Sequence, residues 1–522
     1  MSTAEAPPVA AVARGGAANM VGAVIYGASN FVLLIVLNRV LGVEDAGVVV
    51  VAIAIFNLVS TMAGLGSSTG LVRMISRDRA TGRADRIPAT IRVAMVPVAT
   101  VGVASGVLMA FVAPSLADLL ADGDRVQPVA SILRWMALFL PAATIHTVLI
   151  QATRGFDTMR PLVAVERIGR AISLPVVAGL AAAAGLGPSG VGAAWAATNL
   201  VALVFSVRAV TWRTRSELRA SGRPAMPVDA ALRREYWSFT APRAVGQASE
   251  VAVNWLDTIV VSAIVSTTAA GVYASGSRYL LPGLFAAEAL MQVTGPRISG
   301  LMARNRPDEA SQLIQIVAGW QVAVMWPLYL LIALFPRPLL SVFGPEVIAA
   351  RGALIALAIA MLVASPVGPA ASAVLMSGRS TQAMFNTLTV LVVNIVGNLV
   401  FVPQHGITAA GVVWGATIVI AAALPGWQCR HLLGISTVGR PALLAASVAA
   451  ATVGSTAAVV RLALGDTLAG LLTAGSVGVT AYLIGLRVYR RQLHLDALLD
   501  GIGRRPAANP APGKAEEQQG RQ

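Results

Sequence analysis

From residue 19 to about residue 488 the chain offers one apolar stretch after another, each about 20 residues long and nearly free of charge, as in "GVVVVAIAIFNLVSTMAGLG". A helix of that length crosses a hydrocarbon layer with every backbone N–H and C=O bonded within itself, which is what a bilayer core demands. Read with that ruler, the chain is predicted to hold about fourteen spans, centred near residues 30, 58, 104, 141, 173, 200, 251, 280, 324, 363, 393, 418, 451 and 477. Composition agrees, with 56% hydrophobic and 12% charged residues in 522, against about a quarter charged in soluble domains. The predicted fold class is an all-α polytopic membrane protein.

The formal charge of +15 is carried almost wholly by arginine, since Lys514 is the single lysine. A charge of this sign suggests nucleic acid, but its placement argues otherwise. The arginines sit in alternate short loops, among them "RMISRDRATGRADRIPATIR", "RGFDTMRPLVAVERIGR", "RAVTWRTRSELRASGRPAMPVDAALRRE" and "RISGLMARNRPDEA", whereas "LGVEDAG", "DLLADGDRVQ", "GLGPSG" and "PQHG" alternate with them. The positive-inside rule puts the basic set, and with it both termini, in the cytoplasm. The expected location is the bacterial cytoplasmic membrane. The first residues lack the pattern of a cleaved signal peptide. Cys429 is the only cysteine and has no disulfide partner, and the four histidines show no ligand spacing, so no metal or cofactor is expected.

The loops also set the predicted organisation: a tail over 1–18, a six-helix bundle over 19–210, a linker over 211–237, a second six-helix bundle over 238–430, two further helices over 431–490, and a Pro/Gly/Glu/Gln-rich tail over 491–522. The bundles repeat. A shift of 224 residues sets Gly47 on Gly271 and Arg73 on Arg297, and a shift of 219 sets Gly192 on Gly411 and Trp195 on Trp414. Six spans per copy is an even number, so the copies share one orientation and are related by an axis along the membrane normal.

The segments "LNRVLGVEDAGVVVVAIAIFNLVSTMAGLGSSTGLVRMIS" and "NWLDTIVVSAIVSTTAAGVYASGSRY" resemble the openings of the two halves of bacterial polysaccharide (O-antigen or teichoic acid type) flippases, in the multidrug/oligosaccharidyl-lipid/polysaccharide exporter superfamily. The likeness spans roughly residues 15 to 490. It implies two bundles rocking about a central hydrated cavity and transport of an undecaprenyl-diphosphate-linked oligosaccharide from inner to outer leaflet. The implied partners are that lipid, the surrounding membrane lipids and H⁺ or Na⁺; whether a polysaccharide polymerase or synthase joins them is left open.

One helix stands out from its apolar neighbours. In "RAVGQASEVAVNWLDTIVV", Arg243, Gln247, Glu250, Asn254 and Asp257 are spaced 4, 3, 4 and 3 and share a face. Each charge facing lipid costs about 2.5–3.5 kcal/mol, so the face is expected to look into protein or water. Under the 224 shift, Asn254 falls on Asn30, Glu250 on Tyr26, Arg243 on Asn19 and Asp257 on Leu33, which predicts a cavity between the first and seventh spans with charge on one side only. Arg243, Arg278, Asn254, Asn30, Tyr26 and Gln247 are the candidate substrate ligands. Glu250, Asp257 and Glu288 are the candidate ion-coupling groups. Asp257 and Arg278 lie at matching distance from the turn near residue 267, and an ion pair between them is expected, either fixed or switchable.

His146 and Arg134 are weaker candidates, the first readable as a packing histidine. Trp195, Trp237, Trp255, Trp326 and Trp427 fall mostly near predicted span ends, where rings anchor at interfaces. Alternative readings are a lipid II flippase or a multidrug/cation antiporter of the same superfamily. A lipid-dependent glycosyltransferase or polymerase is a further alternative, disfavoured because the outer loops are short and hold no acid/base motif. No phosphate-cradling loop with its lysine occurs, so ATP is not the expected direct energy source.

Overall fold

The computed structural model describes residues 25–285, 306–377 and 379–495, together with Gly22 and a few positions between 286 and 305; the side chain of Glu250 is outside the description. Among the described residues there are helices and turns and no strand. In chain order the main helices are α1 (Ile25–Leu41), α2 (Val43–Ala63), α3 (Ser67–Ala80), α4 (Ile87–Leu120), α5 (Val126–Ala137) and α6 (Leu140–Ala152). Next come α7 (a π-helical segment Leu162–Arg170 continuing as Ala171–Ala183), α8 (Gly187–Ser221), α9 (Ala230–Ile264) and α10 (Thr267–Ser277, closed by a 3₁₀ turn Arg278–Leu280). The rest are α11 (Pro307–Leu334), α12 (Arg351–Ala364), α13 (Ser380–Leu432), α14 (Arg440–Leu464) and α15 (Leu468–Val488).

Local chemistry accounts for several boundaries. The Asp229 carboxylate accepts from Leu232 N–H at 2.6 Å to start α9, Ser266 Oγ accepts from Ala269 N–H at 3.0 Å to start α10, and Thr467 Oγ1 caps α15 through Gly470 N–H. Each cap satisfies a donor that the first helical turn leaves without a partner, and contributes about 1 kcal/mol. α13 is two helices broken at Gly406, whose φ of 58° and ψ of −144° no helix interior tolerates. α5 and α6 meet at a bend of 52°.

The polytopic all-helical class is as the sequence predicts. The count of fourteen is not established: among the described residues eight helices are long and apolar enough to cross a membrane, or nine with the bent α5–α6 pair as one span, and α1 is a shorter apolar helix. The difference has identifiable causes. α13 merges the spans predicted near 393 and 418, the helix near 251 carries the polar stripe, and the span near 280 runs into residues outside the description.

α2 and α10 cross with backbones in contact, and the crossing point is Gly47 against Gly271, the very pair that the 224-residue shift superposes. A Cβ on Gly271 would lie 2.7 Å from Gly47 Cα, and one on Gly47 would strike the Thr267 carbonyl. Gly192 likewise packs on Ile132 and its counterpart Gly411 on Ala353. The Gly47–Gly271 end also holds the Arg39 guanidinium, which donates to the Ser341 and Val342 carbonyls at 2.8 and 3.2 Å.

At the opposite, arginine-rich end, Glu235 of α9 accepts from Arg77 of α3 at 2.5 Å and from Arg86 at 2.9 Å. Arg79 pairs with Glu217 at 2.7 Å and with Asp157. The hydrogen bond from Arg77 holds the Glu235 carboxyl below its ordinary range. The stabilisation from this bridge is therefore present above the unfolded-state carboxylate pKa and is lost as pH falls through the lowered folded value. Glu235→Ala strands the guanidinium of Arg86, whose side chain is 8% exposed, at a cost of about 1–3 kcal/mol. The expected result is a lower Tm in detergent for Glu235→Ala at neutral pH, with the gap to wild type closing in acid.

Candidate functional site

Two connected cavities open between the helices of the two repeats. The first, of about 180 Å³, is lined by Tyr26, Asn30, Leu33 and Leu34 of α1, Val50, Ile53, Asn57 and Thr61 of α2, Arg170 and Leu174 of α7, Trp195 of α8, Val251 and Trp255 of α9, and Arg278. Two guanidiniums therefore reach one cavity from different repeats. Each lies near an indole: Arg170 Cζ is 5.6 Å from the centre of Trp195 and Arg278 Cζ is 5.3 Å from that of Trp255. Each also has a buried Nε without a hydrogen-bond partner. A buried N–H left unmade is costly and is satisfied when an acceptor arrives. Asn30 and Asn57 each donate one amide hydrogen to their own helix, at 2.9 Å to Tyr26 and Ile53 carbonyls.

The second cavity, of about 360 Å³, shares Thr61 and Val251 with the first and continues toward the arginine-rich end. Its lining is hydroxyl and amide: Ser60, Thr61, Ser68, Thr69, Thr144, Thr147, Gln151 and Gln247, with Arg154 as its one charged residue. Gln247 donates to Thr69 Oγ1 at 3.0 Å. No carboxylate lines either cavity among the described residues.

Of the candidate ligands, Tyr26, Asn30 and Arg278 lie in the first cavity and Gln247 in the second. Arg243 and Asn254 are exposed on α9 and line neither. A 4-3-4-3 stripe on a helix of 3.6 residues per turn drifts by about 40° over fourteen residues, so its two ends meet different neighbours. The backbone of Glu250 belongs to α9 but its side chain lies outside the described residues, as does Glu288.

The expected Asp257–Arg278 ion pair does not form. Asp257, 3% exposed, accepts from Asn398 Nδ2 of α13 at 2.7 Å and from Tyr273 OH of α10 at 3.1 Å. Equal distance from a turn sets depth along two antiparallel helices and leaves azimuth open: Asp257 faces α10 and α13, while Arg278, in the 3₁₀ turn that ends α10, faces α1 and the cavity. Asn398 also donates to the Asn394 carbonyl at 2.9 Å, and its own Oδ1 is buried without a partner among the described residues.

Arg170, Asn57, Trp195 and the hydroxyl lining were not singled out by the sequence reading. Trp195 is 4% exposed, packed edge-on against Phe56; it and Trp255 belong to the cavity wall and are not interfacial anchors, whereas Trp427, 56% exposed, sits as such an anchor would. The available signal was Trp195 itself, matched to Trp414 by the repeat. Arg170 read as one more basic-loop arginine because its helix is π-wound there, a geometry that often marks functional sites.

A bundle of membrane-length helices in two matching halves around a polar cavity is the architecture of the multidrug/oligosaccharidyl-lipid/polysaccharide exporter superfamily. Comparison with solved structures bears this out at the level of fold. The chain is similar to the lipid II flippase MurJ in an inward closed conformation (TM-score 0.68, 11% identity, 90% of this chain and 100% of that one). It is also similar to an inward-facing multidrug resistance MATE transporter (0.57, 16%, 79% and 94%) and to a superfamily transporter from Pyrococcus furiosus described as having a binding pocket of reversed polarity (0.52, 16%, 81% and 95%). Residues 12–302 match the polysaccharide biosynthesis protein family, and residues 242–402 match MatE. The chain belongs to the polysaccharide biosynthesis protein family. No match occurs among curated proteins.

Proposed function

We propose that the protein is a flippase that moves an undecaprenyl-diphosphate-linked oligosaccharide from the inner to the outer leaflet of the bacterial cytoplasmic membrane for cell-surface polysaccharide synthesis, with both termini in the cytoplasm. The observation that carries this reading is the pair Arg170 and Arg278, two guanidiniums with unmade buried N–H groups facing one cavity that holds no carboxylate among the described residues. A diphosphate supplies acceptors for both, in charge-assisted forked contacts that arginine is suited to make. The adjoining hydroxyl- and amide-lined cavity suits the sugar, whose hydroxyls exchange hydrogen bonds with such a wall. Among the described residues a cationic drug finds no counter-charge there.

Lipid II is the second reading, favoured by the likeness to the MurJ fold over the whole of that chain. It shares the polyprenyl diphosphate and differs in the glycan. The protein itself carries no catalytic role in either reading. The deciding experiment measures leaflet accessibility of lipid-linked oligosaccharide in cells depleted of this protein. Glycan retained on the cytoplasmic leaflet, relieved by wild type and not by Arg278→Ala, supports the flippase. Normal flipping with unpolymerised glycan overturns it in favour of an enzyme.

The proposed coupling ion is H⁺ or Na⁺ and Asp257 the proposed coupling group, being a buried carboxylate held by Asn398 and Tyr273 with no arginine partner among the described residues. Asp257→Asn preserves size and one of the two accepted hydrogen bonds while removing the charge. Its flipping rate in proteoliposomes is expected to lose all response to an imposed ion gradient; an unchanged response removes Asp257 from the coupling role.

A further inference from the structure

A second ionisable cluster lies in the first repeat, apart from Asp257. His146 of α6 is 1% exposed. Its Nδ1 is 2.8 Å from Ser206 Oγ of α8, and its Nε2 is 2.8 Å from one carboxylate oxygen of Glu166 on α7. The other Glu166 oxygen accepts from Arg170 Nη1 at 2.7 Å.

The Ser206 hydroxyl hydrogen separates two arrangements of this cluster: given to Nδ1, it leaves Nε2–H to donate to an ionised Glu166; given to the Ala202 carbonyl, it leaves Nδ1 as the donor. In the second, Ser206 gives its one hydroxyl hydrogen to the Ala202 carbonyl at 2.8 Å. Toward His146 it is thus an acceptor, and Nδ1 carries a hydrogen. A neutral imidazole of that form has only a lone pair at Nε2, which at 2.8 Å would face the lone pairs of a carboxylate. In this second arrangement one further proton lies between them, as imidazolium against carboxylate or as imidazole against carboxylic acid.

Among the described residues, no other titratable group on the neighbouring helices is shown facing this cluster; Arg208, two residues beyond Ser206, is exposed on α8. α2 has none after Asp45, α4 none between Arg92 and Asp118, and α8 none before Arg208. α3 bears its charges, Arg73, Arg77, Asp78 and Arg79, toward the arginine-rich end. There Arg73 lies over Phe239, and the other three are held in ion pairs. Arg154 follows α6 and lines the second cavity. On α7, Arg167 lies against Gly22. On α1, Tyr26 lines the first cavity and Arg39 is held by backbone carbonyls.

We infer that His146 and Glu166 form a binding site for one proton, and that its occupancy governs how firmly Glu166 holds Arg170 at the cavity. With the proton in place, Glu166 is shared between two donors and the cluster is net positive, leaving Arg170 available to an entering phosphate. Without it, Glu166 and Arg170 are left as a neutral pair and the cavity loses positive potential. Proton and phosphate therefore bind each other's preferred state, and by linkage each strengthens the other. The consequence for Arg170 rests on the phosphate reading above; the proton itself does not.

The test has two arms on the full chain in lipid nanodiscs. Nuclear magnetic resonance of labelled histidine and glutamate, with His146→Gln to assign the signal, is expected to find either a doubly protonated His146 or a protonated Glu166 at neutral pH. A neutral His146 beside an ionised Glu166 overturns the site. In the second arm, affinity for undecaprenyl diphosphate is expected to rise as pH falls, by about tenfold per pH unit at most beyond the lipid's own ionisation, and His146→Gln is expected to remove that excess. Equal pH dependence in wild type and variant overturns the link to Arg170. Absence of binding at every pH counts against the flippase reading, while the resonance arm still decides the proton site.

Discussion

Alanine at Arg278 is expected to weaken binding of undecaprenyl diphosphate by about ten- to 150-fold, because a hydrogen bond to a charged group is worth about 1.5–3 kcal/mol. The reason is specific to its surroundings. Arg278 lies at the end of α10, its guanidinium over Trp255 and its Nε without a partner among the described residues, so none of these replaces what the ligand supplies. Lysine restores the charge but not the planar fork, and recovers part of the loss. Alanine at Arg170 is expected to cost less, since Glu166 already draws on that guanidinium. Binding to protein in nanodiscs checks all three. Unchanged affinity in both alanine variants removes the first cavity from phosphate recognition.

Valine at Gly271 is expected to hold apart the end of the molecule where α2 and α10 cross. The added side chain meets backbone rather than a movable side chain, 2.7 Å from Gly47 Cα at the first atom. Overpacking of this kind costs about 1–3 kcal/mol, enough to shift a two-state equilibrium by about five- to 150-fold. The closed end would give way while the arginine-rich end, held by the Glu235 bridges, is untouched. Labels at Val40 and Val342, both exposed and flanking the Arg39 contact, report the separation by electron resonance; the single native thiol, Cys429, is buried and does not interfere. A longer distance with transport near background is the expected result. An unchanged distance with full transport shows that this crossing does not need to close.

Much of the fold was written in one dimension. The apolar runs determine membrane-spanning helices because a bilayer leaves the backbone no other way to satisfy its polar groups. The repeat was legible too: Gly47 and Gly271, matched by a shift along the chain, prove to be the contact point itself. Membership of the polysaccharide family followed from the same segments. For the site, Tyr26, Asn30 and Arg278 were found because polar residues in an apolar helix must face something other than lipid.

What the sequence left undecided is which way each of those residues turns and whom it meets. Spacing gives depth along a helix, but partners depend on azimuth and on helices distant in the chain. Asp257 thus sits at the same depth as Arg278 yet binds Asn398, 141 positions away. His146, Glu166 and Ser206 lie on three helices and are unremarkable singly; only their packing brings them into the set of hydrogen bonds proposed to hold a shared proton. Apolar runs along the chain were enough to specify a helical membrane bundle with a polar interior, because hydrophobicity and backbone hydrogen bonding act locally. The tertiary structure alone decided that two arginines, one from each repeat, converge on one cavity, because directional contacts exist only once the helices are packed.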